Sequence, residues 1–356
     1  MNGPDVPPAA DVTQAVTDVI CLGESMVTFL PSRPGRLADV PSFTRAIGGA
    51  ESNVACALAA AGLRTRWVSR VGTDGFGDHL VATISGYGVD TSAVARDRTR
   101  PTGVYFRTAA DRAADGHEVV YYRAGSAASA MSPATVADDL VDGGRVLHLT
   151  GITAALSADC LALLRRLLRP RANRPLISFD VNHRPRLWSG AEGPEVLLDL
   201  ACGADLVFVG EDEAEAAWGI SGPAAIRAAL PEPAVLVVKQ GAAGATAFAR
   251  EGTGDGAGDV VAFVPAPSVE VVAAVGAGDA FAAGYLAATL RGLPLRDRLR
   301  HGHLTAAAVL TVPEDLGRPP ATERADRLAA LDDAAWGRLR LGPGWTSAED
   351  EEVRTP

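Results

Sequence analysis

Four apolar runs, VLHLT (146–150), LISFDVN (176–182), DLVFVG (205–210) and AVLVVK (234–239), decide the fold of this 356-residue chain. Each is short and almost continuously hydrophobic, the pattern of a strand covered on both faces. Towards the N-terminus the same rhythm appears with its helices in view: a β-rich run at 18–22, an Ala/Leu-rich stretch at 50–61, a second run at 67–71 and a second helical stretch at 76–87. Gly62 follows the first helical stretch, and Gly86 and Gly88 flank the end of the second, as helix C-termini require. Strands alternating with helices predict a mainly parallel sheet with crossover helices on both sides.

Two segments break this rhythm. PTGVYFRT (101–108) and HEVVYYRA (117–124) alternate in polarity around DRAADG (111–116), which reads as an exposed antiparallel hairpin. Tyr105 and Arg107 share one face of its first strand; Tyr121 and Arg123 share one face of the second. Together with the non-helical stretch 29–45, the segment 101–127 is expected to form a small β-lid over the main domain. EGTGDGAGD (251–259) reads as a surface hairpin loop. The expected organisation is a loose N-terminal tail over 1–16, one domain over 17–340 that contains both lid segments, and an acidic tail over 341–356.

Composition narrows the partners. Forty-three acidic and 33 basic residues leave a net charge of −10, which opposes a nucleic-acid backbone or an anionic membrane. The one membrane-length stretch, 271–290, has Asp279 at its middle and is broken by glycines, so a buried helix entered from a strand is expected. Cys21, Cys56, Cys160 and Cys202 lie in apolar runs without CxxC spacing, as small buried thiols of a cytoplasmic protein would. His79, His117, His148, His183, His301 and His303 show no paired ligand spacing, and there is no GxSxG.

Neither GxxxxGK[ST] nor a GxGxxG after a strand is present, so a phosphate site must be of another kind. VGAGDAFAAGYL (275–286) offers one: Gly276 and Gly278 permit a tight turn into a helix whose first N–H groups point outward at its positive end. Such a turn holds phosphate oxygens and the charge that develops in phosphoryl transfer. Asp279, just inside the helix, is either a base for an attacking hydroxyl or simply an acid favoured by the helix dipole. IGGAESNVA (47–55) also opens a helix, where Asn53 either meets a polyol or belongs to a capped helix start. FDVNHRPRLW (179–188) puts Asn182, Arg184 and Arg186 at the carboxyl end of a strand, the ligand edge of open α/β sheets. Arginine there either grips a carboxylate or phosphate, or is simply solvated. Lys239, the sole lysine, ends a strand before another glycine turn; it serves that edge or only snorkels from it.

In order along the chain, GGAESNVA, GTDGFG (72–77), GEDEAE (210–215), VVKQGAAG and VGAGDAFAAG resemble the motifs of the ribokinase-like (PfkB-type) carbohydrate kinases. The likeness runs from about residue 18 to about residue 320. Within that family, GESMVTFLP, GGAESN, PTGVYF, YYRAGSAAS, HLTGITAALS and DVNHRPRLW are most similar to 2-keto-3-deoxygluconate kinases. The resemblance implies a three-layer α/β/α sandwich with a β-lid and transfer of the ATP γ-phosphoryl group to a sugar-acid hydroxyl; the free edges of the lid strands, which a second lid would cover, lead us to expect a homodimer.

By the same resemblance, Gly49, Asn53, Tyr105, Tyr121, Arg123 and Arg184 surround the sugar acid, and Asp279 takes the proton from its terminal hydroxyl. Gly276, Ala277 and Gly278 form the anion hole. Lys239, Gly241, Gly244 and His303 lie beside the nucleotide, and Glu213 reaches Mg²⁺ through water. Four positions depart from the family pattern. Ala273 and Ala274 replace a region tied to a monovalent cation, which speaks against a K⁺ requirement; Gly210 stands where Asn is usual, and His303 where Asn is common. The rival readings are a fructokinase or another sugar or sugar-acid kinase, and a non-catalytic sugar or nucleotide sensor on the same fold.

Overall fold

The structure is a computed structural model that describes residues 17–108, 118–172, 174–188, 192–252 and 258–347. The expected tail over 1–16, the DRAADG turn, His117 and the centre of the 251–259 loop lie outside the described residues.

Nine strands form the main sheet, in the spatial order Gly258–Val264, Ala245–Glu251, Val235–Lys239, Leu206–Gly210, Leu176–Asp180, Gly144–Thr150, Thr17–Leu22, Thr65–Gly72 and Val94–Asp97. Pairing is parallel from Val235–Lys239 to the Val94–Asp97 edge; the other two strands are antiparallel. The four runs that announce the fold are therefore neighbours at its centre. Alternate side chains of these strands feed two separate cores. Phe208 and Val237 pack under the helices Ala50–Ala60, Ala277–Leu290 and Leu295–Leu310, while Val207 and Val209 face the layer containing Ala158–Leu168 and Gly193–Cys202. Burial on both faces explains why these strands carry almost no polar alternation.

A second sheet of four strands, in the order Phe43–Gly48, Met26–Pro31, Val104–Arg107 and Val119–Tyr122, is the lid. The hairpin alternation is realised: Tyr105 and Arg107 are buried on the inner face, and Phe106 stacks on Phe29 on the other.

Two boundaries differ from expectation. The helix Ala277–Leu290 is entered from an irregular turn at 270–276, not from a strand, because Gly276 takes a left-handed conformation with φ 76°. The packed body also extends beyond residue 340: Leu341 pairs with Val269, and Trp345 is buried. Among the described residues no helix is long and apolar enough to cross a membrane. Cys21, Cys56 and Cys160 are buried free thiols, whereas Cys202 is partly exposed.

Candidate active site

The carboxyl ends of the strands Leu176–Asp180, Leu206–Gly210 and Val235–Lys239 open, together with the turn 274–279, on a cavity of about 650 Å³. This is the edge at which parallel sheets bind ligands, since the strand ends leave a crevice there. Gly276, Ala277, Gly278, Asp279, Arg184, Glu213, Lys239, Gly241, Gly244 and His303 all line it.

The turn opens a helix start on the cavity. Gly276 caps the helix in the left-handed region, and a Cβ there would meet the Asp315 carbonyl oxygen at 2.4 Å. The first helical hydrogen bond runs from Ala280 N–H to Gly276 O, so the N–H groups of Ala277, Gly278 and Asp279 precede the ladder. Gly278 is helical; a Cβ there would meet only Lys239 Nζ, at 3.5 Å.

Asp279 receives a hydrogen bond from Asn53 Nδ2 at 2.9 Å. Burial raises its carboxyl to about 7; the Asn53 bond and the Arg184 and Lys239 charges oppose the rise, and the Asp180 charge adds to it. A carboxyl that titrates there is suited to accept a proton near neutrality.

Lys239 Nζ donates to both oxygens of Asp180, at 2.8 and 3.0 Å. Arg184 is half exposed and bonds loosely to Glu213 Oε1 at 3.4 Å. Glu213 Oε2 accepts from Gly210 N–H at 2.9 Å, which closes the start of the helix Glu211–Trp218. His303 Nε2–H donates to the Val264 carbonyl at 3.1 Å, and burial lowers the ring to about 4, so the imidazole is neutral in the cavity wall. Val269, Val271, Ala306 and Leu310 make the neighbouring wall apolar.

Of the residues expected around a sugar acid, Arg184 lines this cavity, while Gly49, Asn53, Tyr105, Tyr121 and Arg123 belong to the lid and the helix start next to it. A Cβ on Gly49 would lie 2.5 Å from the Glu24 carbonyl oxygen, so glycine lets this helix start approach the Glu24–Ser25 backbone just before strand Met26–Pro31. Arg123 Nε donates to Glu24 Oε2 at 2.8 Å and its guanidinium lies 5.6 Å from the Tyr121 ring centre. Tyr121 in turn packs 5.4 Å from Tyr105.

Two placements differ from the resemblance. The Tyr105 hydroxyl, expected at the sugar, donates to Asp315 Oδ2 at 2.8 Å, and Arg107 donates to the other Asp315 oxygen at 2.9 Å. A carboxylate this deeply buried needs both donors. Arg123, expected among the residues around the sugar acid, is already paired with Glu24, a buried acid that also accepts from Ser126 Oγ. Asp180, Glu24 and Asp315 are the residues the motifs did not single out. Asn182 is also notable: its φ is 41°, and its buried Oδ1 has no protein partner although the residue lines the cavity.

The pattern of the pfkB family carbohydrate kinases matches residues 16–319. The chain belongs to this family. The kinase is 36% identical over 314 residues to the 2-dehydro-3-deoxygluconokinase of Bacillus subtilis (strain 168), covering 86% of this chain and 94% of the relative. It is 32% identical over 273 residues to fructokinase-1 of Oryza sativa subsp. japonica, covering 75% and 81% of the two chains. Among solved structures, a PfkB protein from Polaromonas sp. JS666 superposes with a TM-score of 0.73 at 35% identity, over 89% of this chain and all of that one. The doubly covered sheet and lid are thus the fold of a sugar kinase, and the glycine turn with its acid lies in that kinase's cavity.

Proposed function

We propose that the kinase transfers the γ-phosphoryl group of ATP to the terminal hydroxyl of 2-keto-3-deoxygluconate, giving the 6-phosphate. The observation that carries this reading is Asp279: a carboxyl lifted to about 7, set in the first turn of an anion-binding helix and tied by Asn53 to the sugar-side helix. In the step, the sugar oxygen bonds to the γ-phosphorus as the bond to the bridging oxygen of ADP breaks, and Asp279 takes the hydroxyl proton. The N–H groups of Ala277, Gly278 and Asp279 hold the developing charge on the phosphoryl oxygens.

The sugar acid lies between the lid and Asn53, with Arg184, half exposed and only loosely held by Glu213, offering its guanidinium to the carboxylate. The nucleotide lies along Lys239, Gly241 and Gly244, its base towards the apolar wall and His303. Magnesium bound with the nucleotide supplies charge neutralisation between its phosphates. No cluster of three or more acidic, His or Cys side chains suited to a metal occurs among the described residues. Glu213 and the unpartnered Asn182 Oδ1 fit a hydrated ion held through water. Ala273 and Ala274 bring no side-chain oxygen to the turn, so a K⁺ requirement is not part of this reading.

Free thiols and acidic charge support a cytoplasmic protein without a nucleic-acid or membrane partner. The lid's outer strand Val119–Tyr122 leaves Val120, Tyr121 and Tyr122 exposed on an open edge, which a second copy would cover. Light scattering at micromolar concentration tests the dimer; a monomer removes it from the proposal.

The function is tested by coupled ADP release with Mg-ATP, with and without K⁺, across 2-keto-3-deoxygluconate, its galacto epimer, fructose, ribose and adenosine. Selective turnover of the keto-deoxy acid supports the reading. Turnover of fructose alone keeps the mechanism and discards the substrate.

A further inference from the structure

The cavity contains one charged pair that neither the anion turn nor the base accounts for. Asp180 and Lys239 end two strands separated by Leu206–Gly210, in which Phe208 stands opposite Asp180 and Gly210 opposite Lys239. Their side chains meet across the end of that middle strand, with both Asp180 oxygens accepting from the ammonium. Asp180 is 1% exposed, whereas Lys239 lines the cavity. The ammonium lies 3.5 Å from where a Cβ of Gly278 would stand, directly against the anion turn.

A free lysine samples many rotamers, and its charge is strongly hydrated; a two-oxygen grip from below removes both freedoms. Burial works against the ammonium, but Asp180 and Glu213 more than offset it and hold its pKa above the ordinary lysine value. The cation is therefore permanent at any working pH.

We propose that Asp180 is a positioning residue: its carboxylate fixes the Lys239 ammonium against the anion turn at Gly278, where it acts on the phosphoryl group in transfer. The inference rests on the phosphoryl-transfer reading of this cavity. Fixed charge of this kind needs no reorganisation as the reaction proceeds, so it favours the transition state over the ground state. The pair also acts on the base. Facing Asp279 are Asn53, Asp180, Arg184 and Lys239; after burial and the Asn53 bond, the Asp180 charge raises its carboxyl while Arg184 and Lys239 lower it. Glu213 faces Lys239 from the helix Glu211–Trp218.

The test is a double-mutant cycle on the active protein, using the acceptor that the wild type turns over, with Asp180→Asn, Lys239→Met and the two combined. If Asp180 works through Lys239, Asp180→Asn lowers kcat about tenfold, Lys239→Met lowers it about a hundredfold, and the combination falls no lower than Lys239→Met alone. The acid limb of kcat/KM moves to lower pH in Asp180→Asn and to higher pH in Lys239→Met, opposite shifts that a merely structural role would not produce. Additive losses in the combination, or an acid limb unmoved in Asp180→Asn, overturn the inference while leaving the kinase reading intact. Should Lys239→Met fail to fold, Lys239→Gln takes its place in the cycle. A wild type silent on every acceptor would overturn the kinase reading and this inference with it.

Discussion

Asn53 Nδ2 donates to Asp279 Oδ2 at 2.9 Å, joining two glycine-led helix starts that stand 226 residues apart in the chain. The contact makes one site out of two motifs that are each weak alone. Asn53 belongs to the helix that approaches the lid through Gly49, and Asp279 to the helix proposed to receive the phosphates, so on that reading the bond lies where acceptor and donor substrates would meet. It also leaves Asn53 Oδ1 buried without a protein partner, an acceptor aimed at no other residue.

Asp279→Asn is expected to abolish turnover while leaving ATP binding by calorimetry nearly unchanged, because the amide keeps the shape but cannot take a proton. In the wild type, the base must be ionised. With the carboxyl at about 7, kcat/KM should fall as pH drops through that value and level off above it. Near-normal turnover by the variant would remove Asp279 from its role as base.

Gly276 and Gly278 should answer differently to alanine, although both belong to one motif. Gly276→Ala must place a Cβ 2.4 Å from the Asp315 carbonyl oxygen at a φ of 76°, and a loss of at least about 1 kcal/mol in unfolding stability is expected. Gly278→Ala meets only ordinary contact inside the protein, so its melting temperature should stay within a degree or two of wild type. Its methyl group nevertheless stands in the cavity, and ATP affinity should drop at least about tenfold. Equal thermal losses in the two variants would contradict this division.

The main elements were legible because each buries a repeating face: the near-continuous strands, the hairpin alternation at Tyr105 and Arg107, and the glycine turn at 276–278 each leave a local trace. Asp180 and Glu24 lie inside the quoted motifs DVNHRPRLW and GESMVTFLP and Asp315 in none, yet nothing local marks the role of any of the three. Each is a single acid whose role depends on a partner far along the chain: Lys239 is 59 residues from Asp180, Arg123 is 99 from Glu24, and Arg107 is 208 from Asp315. Nothing in local spacing distinguishes such an acid from a solvated one. The boundary near residue 341 escaped for the same reason, since the polar segment after Leu341 hides the buried Trp345.

Asp315→Ala should be one of the most destabilising single changes in the chain. Asp315 and Arg107 are each 4% exposed, and removing the acid strands a buried guanidinium and frees the Tyr105 hydroxyl. Loss of one partner from such a pair costs about 3–5 kcal/mol, which urea unfolding would read directly. Arg107 Nη2 also donates to the Pro313 carbonyl at 3.1 Å, so the same change loosens the lid from the loop behind Gly276. A loss below about 1 kcal/mol would show that the pair is solvated.

Glu51 provides a pH test of stability that is separate from catalysis. Its Oε1 accepts from Thr150 and Thr153 at 2.8 and 2.6 Å, its Oε2 is buried without a partner, and burial raises the carboxyl to about 7. The folded pKa lies above the unfolded one, so the native state holds the proton longer. Stability from this group is full below about pH 4.3 and is lost as pH rises to about 7, by up to about 3 kcal/mol. Glu51→Gln should flatten that fall in urea titrations between those pH values. An unchanged slope would show that Glu51 ionises normally.

Arg123 and Arg184 should separate stability from substrate recognition. Arg123 is 9% exposed and its partner Glu24 is 1% exposed, so Arg123→Ala leaves a buried carboxylate unpaired and should cost stability as well as activity. Arg184 is 47% exposed and its 3.4 Å contact with Glu213 is weak, so Arg184→Ala should fold as well as wild type. If Arg184 grips the substrate carboxylate, its loss should raise KM for the sugar acid by about tenfold to a hundredfold with little change in KM for ATP, since a charge-assisted bidentate contact is worth about 1.5–3 kcal/mol. On a neutral ketohexose the same variant should lose little. An Arg184→Ala enzyme with an unaltered KM for the sugar acid would move carboxylate recognition to the lid, and Arg123 would then have to exchange Glu24 for the substrate as it binds.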